Sequence, residues 1–160
     1  MAARIGYLAI LSHNPDKLAG FYTGHMGFSE LGRSPAGDVT ITDGGFNVTI
    51  FRHRHALNEL SMEIGQHHIG IAVDSIAEIE ERYRKFNPRG TFMREAGDLQ
   101  HGEARIYDPE CHPVTLSERN FGLPAPQAGL PRIAHVAFGT LDPSALHDFY
   151  AQVFGFRELF

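Results

Sequence analysis

Three positions in this sequence carry side chains suited to metal or substrate binding, and they stand at similar intervals along the chain. Tyr7, His68 and His135 are separated by 61 and then 67 residues. A neutral imidazole can bind a metal or exchange a proton, and a tyrosine hydroxyl can donate or accept a hydrogen bond. The chain has ten histidines. That number is compatible with metal binding, although most of them should lie on the surface.

The same two offsets align the sequence around these positions, which indicates an internal repeat. They relate Tyr22, Tyr83 and Tyr150, the helix-capping residues Asn14, Ser75 and Asp142, and the pairs Gly27-Phe28 and Gly155-Phe156. These matches hold without gaps across a strand and a helix, so chance is a poor explanation for them.

Each repeat begins with the pattern of a strand, a cap and a helix. Asn, Ser and Asp are preferred N-cap residues, and Pro15 and Pro143 occupy the first helical position, where the missing N–H costs nothing. Apolar residues then recur at helical spacing. Strands are predicted at 28–32, 38–43 and 47–53 after the first helix, and at 91–95, 103–107 and 113–118 after the second.

These patterns predict how the chain is organised. Residues 1–120 should hold two complete βαβββ units, at 4–54 and 67–118, and residues 121–131, rich in Pro and Gly, should form a linker. Residues 132–160 should form an incomplete third unit with a strand, a helix and the start of another strand. Such a unit should expose a sheet edge and an apolar helix surface. Either the natural chain is longer or another chain completes this tail, and on the second alternative we expect a homo-oligomer.

Strand alternation predicts which residues share a face. Tyr7 and His68 should point away from the helices, while Leu8, Ile10, Ile69 and Ile71 should be buried beneath them. Small residues follow Tyr7 and His68 on their face, which leaves room for a ligand on a concave surface. The alternative is that the facing sheet packs against these small residues.

The motifs in these repeats resemble a known family. The ending FYxxxxGF occurs at Phe21-Tyr22 to Gly27-Phe28 and again at Phe149-Tyr150 to Gly155-Phe156, and YDPECHPVTL begins at Tyr107. Both are similar to motifs of the vicinal-oxygen-chelate superfamily of glyoxalase, bleomycin-resistance and extradiol-dioxygenase proteins. The resemblance implies an α+β fold in which tandem βαβββ units form a curved mixed sheet, a half-barrel with helices outside.

The same resemblance implies where ligands would bind. Family ligands come from the first and last strands of each unit, and these positions hold Tyr7, His68, Thr49 and Thr115. We expect the four side chains to converge and bind a substrate. Only His68 is an ordinary metal ligand, so we predict no metal within residues 1–118, because a catalytic metal usually takes three protein ligands. In a complete protein, His135 would bind Fe(II) or another divalent metal if a further unit supplied its partners.

The resemblance leaves several functions open. The arrangement looks like the amino-terminal part of an extradiol ring-cleaving dioxygenase, which implies a dioxygenase or a glyoxalase-like enzyme acting on a small-molecule substrate. A metal-free binding protein like the bleomycin-resistance members is the alternative that the threonines favour. A dimerisation or regulatory module is the third. No catalytic residue is assigned from the sequence.

Composition narrows the partners and the compartment. The formal net charge is -5 and the basic residues are scattered, so nucleic acid is not an expected partner. No apolar run has the ~18 residues of a membrane span. The single Cys111 cannot form an internal disulfide, which fits a reducing compartment and predicts the cytoplasm. The basic run at 52–55 is interpreted as a solvated strand end, and Cys111-His112 as part of a turn.

Overall fold

A computed structural model describes residues 3–53, 64–94, 102–122 and 133–159. Within these ranges the chain forms eight β-strands and three α-helices. The strands are β1 (Ala3–Ser12), β2 (Ser29–Arg33), β3 (Val39–Thr42), β4 (Asn47–Arg52), β5 (Gly65–Val73), β6 (Met93–Arg94), β7 (Ala104–Tyr107) and β8 (Pro113–Ser117). The helices are α1 (Pro15–His25), α2 (Ile76–Phe86) and α3 (Pro143–Phe154).

The strands belong to one mixed sheet in the order β2-β3-β4-β1-β5-β8-β7-β6. Strand β1 pairs with β4 in parallel, whereas β2–β3, β3–β4, β6–β7 and β7–β8 are antiparallel. The predicted α+β class and the predicted order of elements in the first two repeats are therefore confirmed.

The chain divides into two compact bodies. Of the described residues, those within 6–69 and 123–135 form the first body, and those within 1–5, 70–122 and 136–160 form the second. The first body contains α1 and strands β2 to β4, and the second contains α2, α3 and strands β6 to β8.

The predicted caps begin all three helices. Asn14 Oδ1 accepts a hydrogen bond from Lys17 N at 3.0 Å, Ser75 Oγ accepts from Glu78 N at 3.3 Å, and Asp142 Oδ1 accepts from Ala145 N at 3.0 Å. Each bond satisfies one of the N–H groups that a first helical turn leaves without an intrahelical partner.

The repeated Gly-Phe pair ends two of the helices. Gly27 and Gly155 have φ values of 71° and 73°, in the left-handed region that a side chain disfavours. Phe28 N then donates to Tyr22 O at 3.2 Å, and Phe156 N donates to Tyr150 O at 3.3 Å. In both cases the left-handed glycine turns the chain back onto the last turn of its helix. The repeated pair is thus explained by backbone conformation and carries no chemistry.

In the first body, α1 packs against β3 and β4. The residues of these strands that alternate toward one face are buried, namely Val39, Ile41, Val48 and Ile50. Leu8 and Ile10 stand beside Val48 and Ile50 in the parallel register but remain partly exposed. Their predicted complete burial is therefore wrong, because the helix lies over β3 and β4. Ile69 and Ile71, in contrast, are buried as predicted.

In the second body, α3 packs against α2. Phe149 is fully buried, and its ring lies 6.3 Å from Tyr83 and 5.7 Å from Phe86, edge-on to both. Edge-to-face contacts of this kind add to the free energy gained from burial. The helix of the third repeat therefore packs onto the helix of the second repeat.

The strand predicted at the start of the third repeat does not form. Residues 133–140 contain no regular secondary structure. A strand requires a backbone ladder, whereas the hydrogen bonds of this segment run to side chains: Ile133 N donates to Asp43 Oδ2, and Thr140 Oγ1 donates to Glu110 Oε1. The structure does not describe most of the proposed linker at 121–131. Arg54, His55 and Glu95 also lie outside the described residues.

None of the described helices combines the length and the apolarity needed to cross a membrane.

Candidate functional site

Three of the four predicted site residues lie in the first body, and the structure brings two of them into contact. The ring centroids of Tyr7 and His68 are 5.6 Å apart, and the two planes are tilted by 39°. In the parallel register, Tyr7 stands beside Asn47 and Ala9 beside Thr49, so these residues share one face of the sheet. His68 also approaches Phe51, on the same face, at 6.4 Å.

This face is closed to solvent. Tyr7, Thr49 and His68 retain 1%, 3% and 5% of their accessible surface. Thr49 Oγ1 lies 2.9 Å from Thr40 Oγ1 on the neighbouring strand, within hydrogen-bond distance. Burial places these polar groups where a hydrogen bond is strong and where a missing one is costly.

The two adjacent histidines constrain each other's protonation. His67 Nδ1 and His68 Nδ1 are 2.6 Å apart. For this contact to be a hydrogen bond, one ring must carry a proton on Nδ1 and the other must present an unprotonated Nδ1. At least one of the two rings is therefore neutral.

Three further polar residues on this face were not predicted from the sequence. Thr40 pairs with Thr49 across the β3–β4 ladder and Thr42 pairs with Asn47, so all four side chains point the same way. Thr40, Thr42 and Asn47 retain 7% or less of their accessible surface. The available signal was the polar-apolar alternation of VTIT at 39–42 and NVTI at 47–50. We name the six residues that share this face the polar face: Tyr7, Thr40, Thr42, Asn47, Thr49 and His68.

The fourth predicted residue, Thr115, lies in the second body. It is fully buried on β8, where it pairs with Arg105 of β7. It thus holds a buried strand position, like Thr49 in the first body.

The remaining histidines and the cysteine have other surroundings. His135 is exposed and lies outside any strand. The carboxylate of buried Asp108 accepts hydrogen bonds from Glu110 N and His112 N, both at 2.9 Å, which forms the predicted turn. His112 Nδ1 lies 2.9 Å from Asp108 Oδ2, and Cys111 is exposed with a free thiol.

One tyrosine of the second body is held neutral. Burial, and secondarily the nearby negative charge of Asp108, raise the pKa of Tyr150 well above its usual range. Its ring stacks on Phe138 and Phe154, and its buried hydroxyl has no hydrogen-bond partner among the described residues. We interpret this tyrosine as a packing residue of α3.

The family's metal-ligand positions do not fit a divalent metal. Thr49 and Thr115 offer neutral hydroxyls, and the Thr49 hydroxyl is already paired with Thr40. Of the four positions, only His68 supplies a ligand that divalent transition metals favour. Among the described residues, no cluster of three His, Cys, Asp or Glu side chains is arranged to hold a metal.

We therefore expect the purified 160-residue chain to contain well under one transition-metal ion per molecule after dialysis. Elemental analysis for Fe, Mn, Zn and Ni measures this directly. About one equivalent of any of these metals, retained by the wild-type chain and lost in His68→Ala, would show that the donor set is stronger than its chemistry indicates.

The described fold occurs in proteins of several activities. A xylose isomerase-like TIM barrel/4-hydroxyphenylpyruvate dioxygenase fusion protein is 16% identical, with a TM-score of 0.66 over 98% of this chain and 28% of that chain. A catechol 2,3-dioxygenase is 15% identical, with a TM-score of 0.64 over 93% of this chain and 54% of that chain. Methylmalonyl-CoA epimerase of Streptomyces coelicolor is 14% identical, with a TM-score of 0.52 over 74% of this chain and 96% of that chain.

These identities establish a shared fold alone, and the chain spans only 28% and 54% of the two dioxygenase chains. No curated protein matches the sequence. The family model described as the Glyoxalase/Bleomycin resistance protein/Dioxygenase superfamily matches residues 4–115.

Proposed function

Because the chain belongs to the Glyoxalase/Bleomycin resistance protein/Dioxygenase superfamily, we propose that it binds a small molecule at the polar face. The supporting observation is the cluster of buried polar side chains there, with Tyr7 and His68 in ring contact. Polar residues are seldom buried unless they are hydrogen-bonded, and convergent polar groups in an apolar setting are typical of ligand sites. Thr115 is the corresponding candidate in the second body.

We further propose that the chain acts as the amino-terminal part of a ring-cleaving dioxygenase. The similarity to catechol 2,3-dioxygenase over 93% of this chain and 54% of that chain supports this assignment. In this proposal residues 1–118 carry no metal, and His135 contributes to Fe(II) binding only with partners from another βαβββ unit. Iron would supply oxygen activation at that other site.

A metal-free binding protein is the second candidate function. It is favoured by Thr49 and Thr115, which occupy two of the four positions that hold metal ligands in the family. Among these four positions, only His68 is an ordinary metal ligand. The two candidates make different predictions for a bound catechol. A binding protein releases it unchanged, whereas a dioxygenase opens the ring and consumes oxygen.

The surface of the first body supports an association role as well. Phe21, Met26 and Leu31 are exposed, and a cavity of about 450 Å³ lies beside Phe21, lined also by Lys17, Leu18 and Ile64. Phe21 and Ile64, which are both exposed, border the same cavity, and exposed apolar patches often mark a protein contact. We retain a homo-oligomer and a cytoplasmic location as proposals, and the free Cys111 fits a reducing compartment.

Ligand binding can be tested by titrating the full chain with catechol and following the side-chain NMR signals of the histidines. We expect the His68 signals to shift, because its ring lies on the polar face. His68→Ala and the milder Tyr7→Phe should each weaken binding about tenfold, which corresponds to the loss of ~1.4 kcal/mol.

His147→Ala is the matched control, since His147 is half exposed on α3. It should leave binding unchanged. Catechol binding that shifts the His147 signals and leaves those of His68 in place would contradict the proposed site.

A further inference from the structure

Asn47 presents a buried acceptor that nothing in the described structure satisfies. The residue is 3% exposed, and its Oδ1 atom is buried without a hydrogen-bond partner among the described residues. A buried polar atom left in this state costs about 1–3 kcal/mol. Such a cost is tolerated where a bound group supplies the missing hydrogen bond.

The neighbouring threonine pair has a hydroxyl hydrogen that needs an acceptor. Thr40 and Thr49 carry two hydroxyl hydrogens, and their 2.9 Å contact uses one of them. The second hydrogen has no acceptor in the described part of the chain. The pair therefore offers one donor, in addition to the acceptor on Asn47.

Strand geometry places this donor and this acceptor within reach of one atom. Asn47 and Thr49 are two residues apart on β4 and share one face. Successive residues on one face are separated by about 6.5 Å. One hydroxyl oxygen bonded to both side chains, at about 2.8 Å from each, spans most of that separation.

The polar face carries no permanently charged side chain. Its members are Tyr, Thr, Asn and His, and the nearby Arg52 alternates to the other face, where it pairs with Asp16. A carboxylate placed beside Asn47 Oδ1 would be buried next to a carbonyl oxygen without a fixed cation. A neutral hydroxyl can donate to the amide oxygen and accept from the threonine at the same time.

We propose that Asn47 and the Thr40–Thr49 pair together bind one neutral hydroxyl group of the ligand, a phenol or an alcohol. This inference rests on the proposed binding function of the polar face and adds the ligand class. Asn47 thereby becomes a residue that determines specificity: it accepts the hydroxyl proton, which an ether or a carboxylate lacks.

The test compares phenol with anisole and benzoate, using the full chain and binding measured by calorimetry or NMR titration. Anisole keeps the ring and the oxygen of phenol but has no hydrogen to donate. We expect anisole and benzoate to bind at least about tenfold more weakly than phenol. Asn47→Leu should remove the preference for phenol over anisole, and Thr49→Val should weaken phenol binding.

Thr23→Val is the matched control. Thr23 lies in the same body but on α1, outside the polar face, and its hydroxyl donates to Ala19 O at 3.0 Å. This variant should retain the preference for phenol. A separate readout needs no ligand: Asn47→Leu should leave the thermal denaturation midpoint unchanged or raise it, because it removes an unsatisfied buried acceptor.

The outcomes separate this inference from the function on which it rests. If phenol and anisole both shift the His68 signals with equal affinity, the binding function stands and the hydroxyl proposal is overturned. If Asn47→Leu keeps the preference or lowers the midpoint, Asn47 is a structural residue and the proposal is likewise overturned. If none of the three probes shifts the signals of His68 or Tyr7, both proposals fail, and the polar face holds at most a water molecule.

Discussion

Replacing Ile71 by Ala should lower the free energy of unfolding by about 2–5 kcal/mol, the range measured for truncation of buried aliphatic side chains. Ile71 is 0% exposed in the middle of β5. The substitution removes three methyl or methylene groups and leaves a cavity that a close-packed interior fills only in part. Chemical denaturation followed by circular dichroism measures the loss.

His68→Ala is the informative comparison, because His68 lies three residues earlier on the same strand and is also buried. Loss of the contacts of its ring with Tyr7 and Phe51 should cost about 1–2 kcal/mol, less than the loss for Ile71→Ala. A loss for Ile71→Ala below 1 kcal/mol, or below the loss for His68→Ala, would contradict the assigned core of β5.

The features that could be predicted from the sequence are those fixed by local geometry. Caps such as Asn14, turns such as Asp43-Gly44-Gly45 and the paired glycines Gly27 and Gly155 each follow from one residue type in one backbone conformation. The repeat then extends these local rules to the order of helices and strands. This is why element bounds in the first two repeats agree with prediction to within a few residues.

Features that depend on which strands a helix packs against, or on which strands pair, could not be predicted. Leu8 and Ile10 alternate along their strand like core residues. Both are nevertheless partly exposed, because α1 packs against β3 and β4. Residues 133–140 have the composition of a strand, but their described hydrogen bonds run to Asp43 and Glu110. Sheet pairing and helix placement are tertiary, and one repeat does not contain the information for them.

The candidate site shows the same division. Alternation placed Tyr7 and His68 on one face, and the structure brings their rings together. Thr40 and Asn47 were not predicted, although they alternate with valine and isoleucine. Threonine is also common on exposed strands, and asparagine is more typical of turns than of strands. Only the burial of both faces of β3 and β4 distinguishes a buried polar cluster from a solvated one.

Phe149→Ala should reduce stability by about 3–5 kcal/mol, the range for aromatic truncation in a core. The Phe149 ring is 0% exposed and makes edge-to-face contacts with Tyr83 and Phe86 of α2. Loss of this ring removes the main described link between α3 and α2, so the loss should appear as weaker protection of α3 amides in hydrogen exchange. Denaturation of the same variant gives its magnitude.

Leu159→Ala provides the control, since Leu159 is 82% exposed near the end of the described chain. Its substitution should change stability by less than about 0.5 kcal/mol. Deleting 121–160 should uncover the α2 surface that Phe149 covers and thereby change the oligomeric state or the solubility. A truncated chain with the oligomeric state and stability of the full chain, together with a Phe149→Ala variant of wild-type stability, would show that α3 contributes nothing to the fold of the second body.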